Sequence, residues 1–164
     1  MKTIKKKRPV GTGTRCKRYV AFHEAGHAVA ADYYGVDFTV TVDGRPHIAF
    51  GSTFVEYACH IVFAGPLAQA KVQKRGLSYA LLLGGHYDME YINAEAERYG
   101  APAFADPWRT IWKKSAQRII KTRWDLVEAV AERLMSCGTL SSDEVREIAL
   151  SSGHNLQCLM RPYD

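Results

Sequence analysis

The sequence predicts a mainly α-helical domain that carries a small β-hairpin or sheet. Helix-start and helix-stop residues recur along it, from Thr14 and Gly35 near the beginning to Ser141 and Glu144 near the end. One stretch, Asp37-Phe38-Thr39-Val40-Thr41-Val42, alternates in β-branched and aromatic residues as a half-buried strand does. A length of 164 residues, 47% apolar and 24% charged, fits one compact domain able to bury its own core.

Residues 1–14 read as a basic, flexible N-terminal tail and residues 15–164 as a single domain. Residues 1–18 hold eight of the 22 Lys and Arg and no acid, which leaves 14 bases against 17 acids, a net of −3, for the rest. The formal charge of +5 therefore belongs to the tail, where alone nucleic acid or anionic lipid would be met. Thr14 is placed to cap a helix over about Arg15 to Tyr34, and Gly35 to end it. Asp43-Gly44 supplies a turn after the alternating stretch, and His47 to Phe50 returns as its partner strand. Thr53 with Glu56 forms a capping box for a second helix ending near Gly76, in which Pro66 should kink or break the ladder. Gly84-Gly85 precedes a third helix, about His86 to Tyr99, closed by Gly100. Asp106-Pro107 opens a long amphipathic pattern to Ser136, with a bend near Thr122 and Gly138 beyond. Within it Trp108, Ile111, Trp112, Ile119 and Ile120 recur at helical spacing as core residues. Ser141 with Glu144 boxes the start of a last helix to about Leu150.

Composition narrows the class further. Cys16, Cys59, Cys137 and Cys158 are scattered with no C-x-x-C pair, the usage of reduced thiols in a cytoplasmic protein. Pro9 to Thr14 is not the apolar run that a secretory signal places after its lysines. The longest apolar-rich run, Ala58 to Ala70, is too short to span a bilayer and is interrupted by His60, Gly65, Pro66 and Gln69. No integral membrane segment is expected.

The chemistry concentrates in His23-Glu24-Ala25-Gly26-His27. Four residues apart on a helix, His23 and His27 project from one face and can reach the same zinc ion. Glu24 lies on the adjacent surface, where a carboxylate can serve as general base without binding the metal. Ala21, Ala25, Gly26, Ala28, Val29, Ala30 and Ala31 surround the triad as in a buried, closely packed helix. Two histidines and a glutamate are costly to bury without partners, and a cation removes that cost. A catalytic zinc takes a third protein ligand, for which Asp88, Glu90, Glu56, His60, His86 and His47 are the candidates. Spacing alone does not choose among them.

The run from Ala21 to Ala30 closely resembles the zinc-site helix of the FtsH-type peptidase domain. Asp37 to Val42, Ile61 to Gln69, Gly84 to Asp88, and Trp124 to Ile148 with Cys137-Gly138-Thr139-Leu140-Ser141 resemble that family's later segments, in order. Together they cover most of residues 15–150. The resemblance implies Asp88 as the third zinc ligand, a mainly helical fold with a small sheet, hydrolysis of peptide bonds in polypeptides, and assembly into a homo-oligomer. The sequence departs from the family in three ways. It contains neither the membrane segments nor the AAA+ ATPase module, so ATP-driven feeding is not carried over, and a separate ATPase is a candidate partner. Pro66 and Gln69 stand where the family has Arg and Glu. The stretch between the zinc helix and the second helix is short.

The expected function is thus a zinc-dependent metalloendopeptidase, with Glu24 as the base, His23, His27 and Asp88 on Zn2+, and a polypeptide substrate. The strand from Asp37 to Val42 would bind that substrate along a free edge, and His86 or Tyr87 would face the developing oxyanion. Two rival functions stand beside it: a metal-binding or regulatory protein of this fold that does not cleave, and a nucleic-acid-associated protein acting through Lys2 to Arg18.

Overall fold

The computed structural model describes residues 14–51, 57–83, 85–99 and 105–154. In chain order these form α1 (Thr14–Tyr33), β1 (Phe38–Thr41), β2 (His47–Phe50), α2 (Ala58–Gln73), α3 (Leu77–Leu83), α4 (His86–Tyr99), α5 (Ala105–Thr122), α6 (Trp124–Cys137), β3 (Thr139–Ser141) and α7 (Ser142–Ser151). The mainly helical class with a small sheet is the observed one. No described helix is long and apolar enough to cross a membrane.

α1 is the axis of the domain. Every residue from Ala21 to Asp32 is buried, so this helix has no solvent face over three turns. Its small residues let α2 approach closely: a Cβ on Gly26 would lie 2.6 Å from the Ala64 carbonyl oxygen and 2.8 Å from Ala68 Cβ. α6 packs on another side of α1, where Phe22 stacks on Trp124 with ring centroids 5.6 Å apart. The core continues through Ile61, Ile92, Ile119, Leu126, Val130, Leu134 and Leu140. The far end of α1 is held by charge. Asp32, 3% exposed, accepts from Arg123 Nη1 at 3.2 Å, and Arg146 Nε lies 4.0 Å from its other oxygen. Arg123 is the residue between α5 and α6, so the bend expected near Thr122 is a full break at the next position.

Several local expectations change in three dimensions. Pro66 does not break α2, which continues for seven residues beyond it. The proline withholds one N–H from the ladder, but its ring is fully buried and lies where Gly85 leaves room, only 3.0 Å from a Cβ built there. Burial offsets the missing bond. α2 ends at Gln73, before Gly76, because Lys74 takes the left-handed conformation (φ 53°) and closes the helix with bonds to Lys71 and Ala70. The capping box of Thr53 and Glu56 falls outside the described residues, as does the side chain of Asp106. Ile111 is not core: it is 48% exposed, whereas Trp112, Ile119 and Ile120 are buried. α3 has no counterpart in the sequence reading.

The sheet corrects a functional expectation. Its order is β2-β1-β3, both pairs antiparallel, with Thr39 opposite Ala49 on one side and Ser141 on the other. β1 is central and has no free edge, so it cannot accept a substrate strand. β3 is three residues long and leads directly into the Ser141 cap of α7, where Ser141 Oγ accepts from the Glu144 N–H and Glu144 Oε2 from the Ser141 N–H. Among the described residues the edge strands are β2 and β3, and β2 is the one that borders the cleft.

A polar cluster on the other side of α2 makes stability pH-dependent. Tyr34 Oη lies 3.1 Å from His60 Nδ1 and 2.9 Å from Ser115 Oγ. Burial pushes the His60 imidazole down from 6.5 to about 4. Between those values the unfolded chain binds a proton that the folded chain refuses, so stability falls as pH falls through the window. His60→Gln keeps an acceptor for Tyr34 but cannot titrate. Unfolding free energies from urea titrations between pH 7 and 4 should fall more steeply for the unsubstituted protein, by roughly 2–3 kcal/mol over the range. Parallel curves would show that folded His60 takes up the proton.

Candidate metal centre

α1 and α4 bring three donor atoms to one point. His23 Nε2 and His27 Nε2 are 3.0 Å apart. Asp88 Oδ2 lies 3.0 Å from His23 Nε2, and Asp88 Oδ1 lies 3.7 Å from His27 Nε2. The histidines share a face of α1 because they are one turn apart, and Asp88 reaches them from the first turn of α4. Each residue offers one ligand atom, all within 4.8 Å of one another.

The opposite side of each ring decides its proton. His27 Nδ1 donates to the Ile61 carbonyl oxygen at 2.8 Å, and His23 Nδ1 donates to Gln69 Oε1 at 2.9 Å. A neutral imidazole whose Nδ1–H is committed in this way presents a bare lone pair at Nε2. Two lone pairs then confront each other and a carboxylate in a buried place. Asp88 Oδ2 accepts no hydrogen bond despite its distance from His23, since neutral His23 has no second proton to give. Burial alone would raise the Asp88 carboxyl, and any positive charge on His27 or His23 beside it acts the other way and brings it below its ordinary value. A cation held between them, or a proton shared there, would relieve this arrangement. A tetrahedral ion about 2.0–2.1 Å from each donor would set them about 3.3 Å apart, close to the separations observed. The donor set suits a divalent metal of the zinc type.

Glu24 stands beside this cluster and outside it. It is 5% exposed, borders the same cleft, and its Oε2 has no hydrogen-bond partner. Burial pushes its carboxyl up from 4.5 to about 7, with His27 and His47 pulling it back and Asp88 adding to the rise. The cleft has a volume of about 880 Å³. β2 and the turn before it form one wall, α4 another with Tyr87 and Tyr91, and the site helix forms the floor.

The other candidate ligands lie elsewhere. His86 and Glu90 pair with each other at 3.1 Å on the exposed side of α4. His60 faces Tyr34, and Glu56 is outside the described residues. His47 borders the cleft, but it is not among the converging donors. Of the two residues expected at an oxyanion, Tyr87 lines the cleft and His86 does not. Sequence reasoning missed the groups that fix the rings, Gln69 and the Ile61 carbonyl, and it missed Gly65. A Cβ on Gly65 would overlap His27 Nε2 and Cε1, so glycine is what lets the ring lie against the backbone of α2. One signal was available: Gln69 is a lone amide in an otherwise apolar stretch of α2.

No protein-family model matches this sequence, and no curated protein matches it.

Proposed function

We propose that this protein is a zinc-dependent metallopeptidase related in its site to the FtsH-type peptidase domain. The observation that carries the reading is the pair of Nε2 lone pairs turned on each other and on Asp88, with a buried carboxylate, Glu24, next to them but not among them. A purely structural metal site has no use for that extra buried base. When bound, the divalent ion supplies a Lewis acid that brings a water's pKa toward neutrality and polarises the substrate carbonyl. His23, His27 and Asp88 hold the ion, and Gln69 and the Ile61 carbonyl keep both imidazoles in the donor tautomer. Glu24 accepts the proton of the attacking water at its free oxygen and delivers it to the amine as the C–N bond breaks. β2 offers its open edge to an extended polypeptide lying in the cleft.

The test begins with metal content. Protein purified without chelators should carry about one zinc per chain, and Asp88→Asn should carry clearly less because a neutral amide is a poor third ligand. An unsubstituted protein free of metal, or an Asp88→Asn protein with undiminished zinc, would remove the basis for the proposal. Zinc without cleavage of unfolded casein would leave a metal-binding regulatory protein as the reading.

A further inference from the structure

One charge in the cleft has no task in hydrolysis. Arg45 borders the cleft from the turn before β2 and is exposed, and no acidic side chain pairs with it among the described residues. Its guanidinium lies over the Tyr87 ring, Cζ 5.9 Å from the centroid, so the side chain reaches from the sheet wall toward α4. A cation–π contact of this kind uses none of the guanidinium's N–H groups, which stay available for a planar, two-oxygen acceptor. The backbone beneath is pinned, because the Arg45 carbonyl oxygen accepts from His47 Nδ1 at 2.8 Å. A divalent ion would carry two charges to set against Glu24 and Asp88, and among the described lining residues Arg45 would then be left as a positive charge.

We infer that Arg45 is the specificity-determining residue of this cleft and binds a carboxylate of the peptide, either an Asp or Glu side chain or the free C-terminal carboxylate. Tyr87 acts as a positioning residue that holds the guanidinium over the cleft. The inference takes its ligand class from the peptidase reading, but binding at Arg45 does not require that cleavage occur.

The test uses full-length, zinc-loaded Glu24→Gln protein and fluorescent peptides matched except for Glu against Gln, each with a free or an amidated C-terminus. Anisotropy should show the carboxylate-bearing peptide binding about tenfold tighter at low salt, with the difference shrinking as salt rises. Adding Arg45→Ala should abolish the preference, and Arg45→Glu should turn it toward a Lys peptide. The Tyr87→Ala protein should retain a smaller preference. A difference that follows the terminus assigns the subsite to the C-terminal carboxylate, and one that follows Glu assigns it to a side chain. Equal binding of charged and neutral peptides, or a preference that survives Arg45→Ala, overturns the inference. Preferential binding without hydrolysis by the unsubstituted protein would sink the peptidase reading and leave Arg45 standing. Hydrolysis with no such preference would do the reverse.

Discussion

Glu24→Gln is expected to reduce hydrolysis of casein by about 10³-fold while leaving the zinc content unchanged. The substitution conserves volume and removes only the ability to take a proton. Glu24 is not one of the converging donors, so the ion should stay. Stability should hold or rise, because a buried carboxylate with an unpartnered oxygen is replaced by a neutral group. Activity, metal stoichiometry and melting temperature together give the answer. Retained activity would show that another group moves the proton, and lost metal would show that the carboxylate is a ligand.

Gly65→Ala should be as damaging by a different route. The added methyl would occupy the space of His27 Nε2 and Cε1 and come within 2.8 Å of Cδ2. The ring would have to swing away, which breaks its bond to Ile61 and carries Nε2 from its position 3.0 Å from His23. Overpacking of this kind costs about 1–3 kcal/mol of stability, and a misaimed ligand costs about 10- to 100-fold in metal affinity. Gly76→Ala is the control, since a Cβ there meets nothing within 4 Å. Competition with a zinc chelator and urea titration would measure both effects. A Gly65→Ala protein with unaltered zinc affinity would mean that the ring is not seated against α2.

Local signals were enough for much of the fold. The span of α4, His86–Tyr99, follows from its flanking glycines, the hairpin from Asp43-Gly44, and α7 from a capping box that forms as expected. Gly35, at φ 67°, does follow α1. The misses are nonlocal. A three-residue strand such as β3 has no periodicity of its own and exists because Val40 pairs with Leu140 across the chain. That pairing made β1 central and left the outer edges of the sheet to β2 and β3. Pro66 survives within α2 because of where its ring is buried, which no window of sequence contains. At the site, His23, Glu24 and His27 were legible from spacing, whereas Asp88 needed a family resemblance to stand out from five other candidates. Gln69 and Ile61 lie 46 and 34 residues from the rings they hold, and one of them acts through its main chain.

The burial of α1 bears on how such a site could adapt. A helix enclosed over twelve consecutive residues cannot tilt or slide without disturbing all its neighbours at once. Its two imidazoles are therefore anvil-like, immobile by virtue of the packing behind them. Asp88 and Tyr87, from a helix with largely exposed outer residues, belong to the adjustable jaw, as do the strand and turn opposite. Changes in what the cleft accepts can accumulate on those walls while the floor stays as it is.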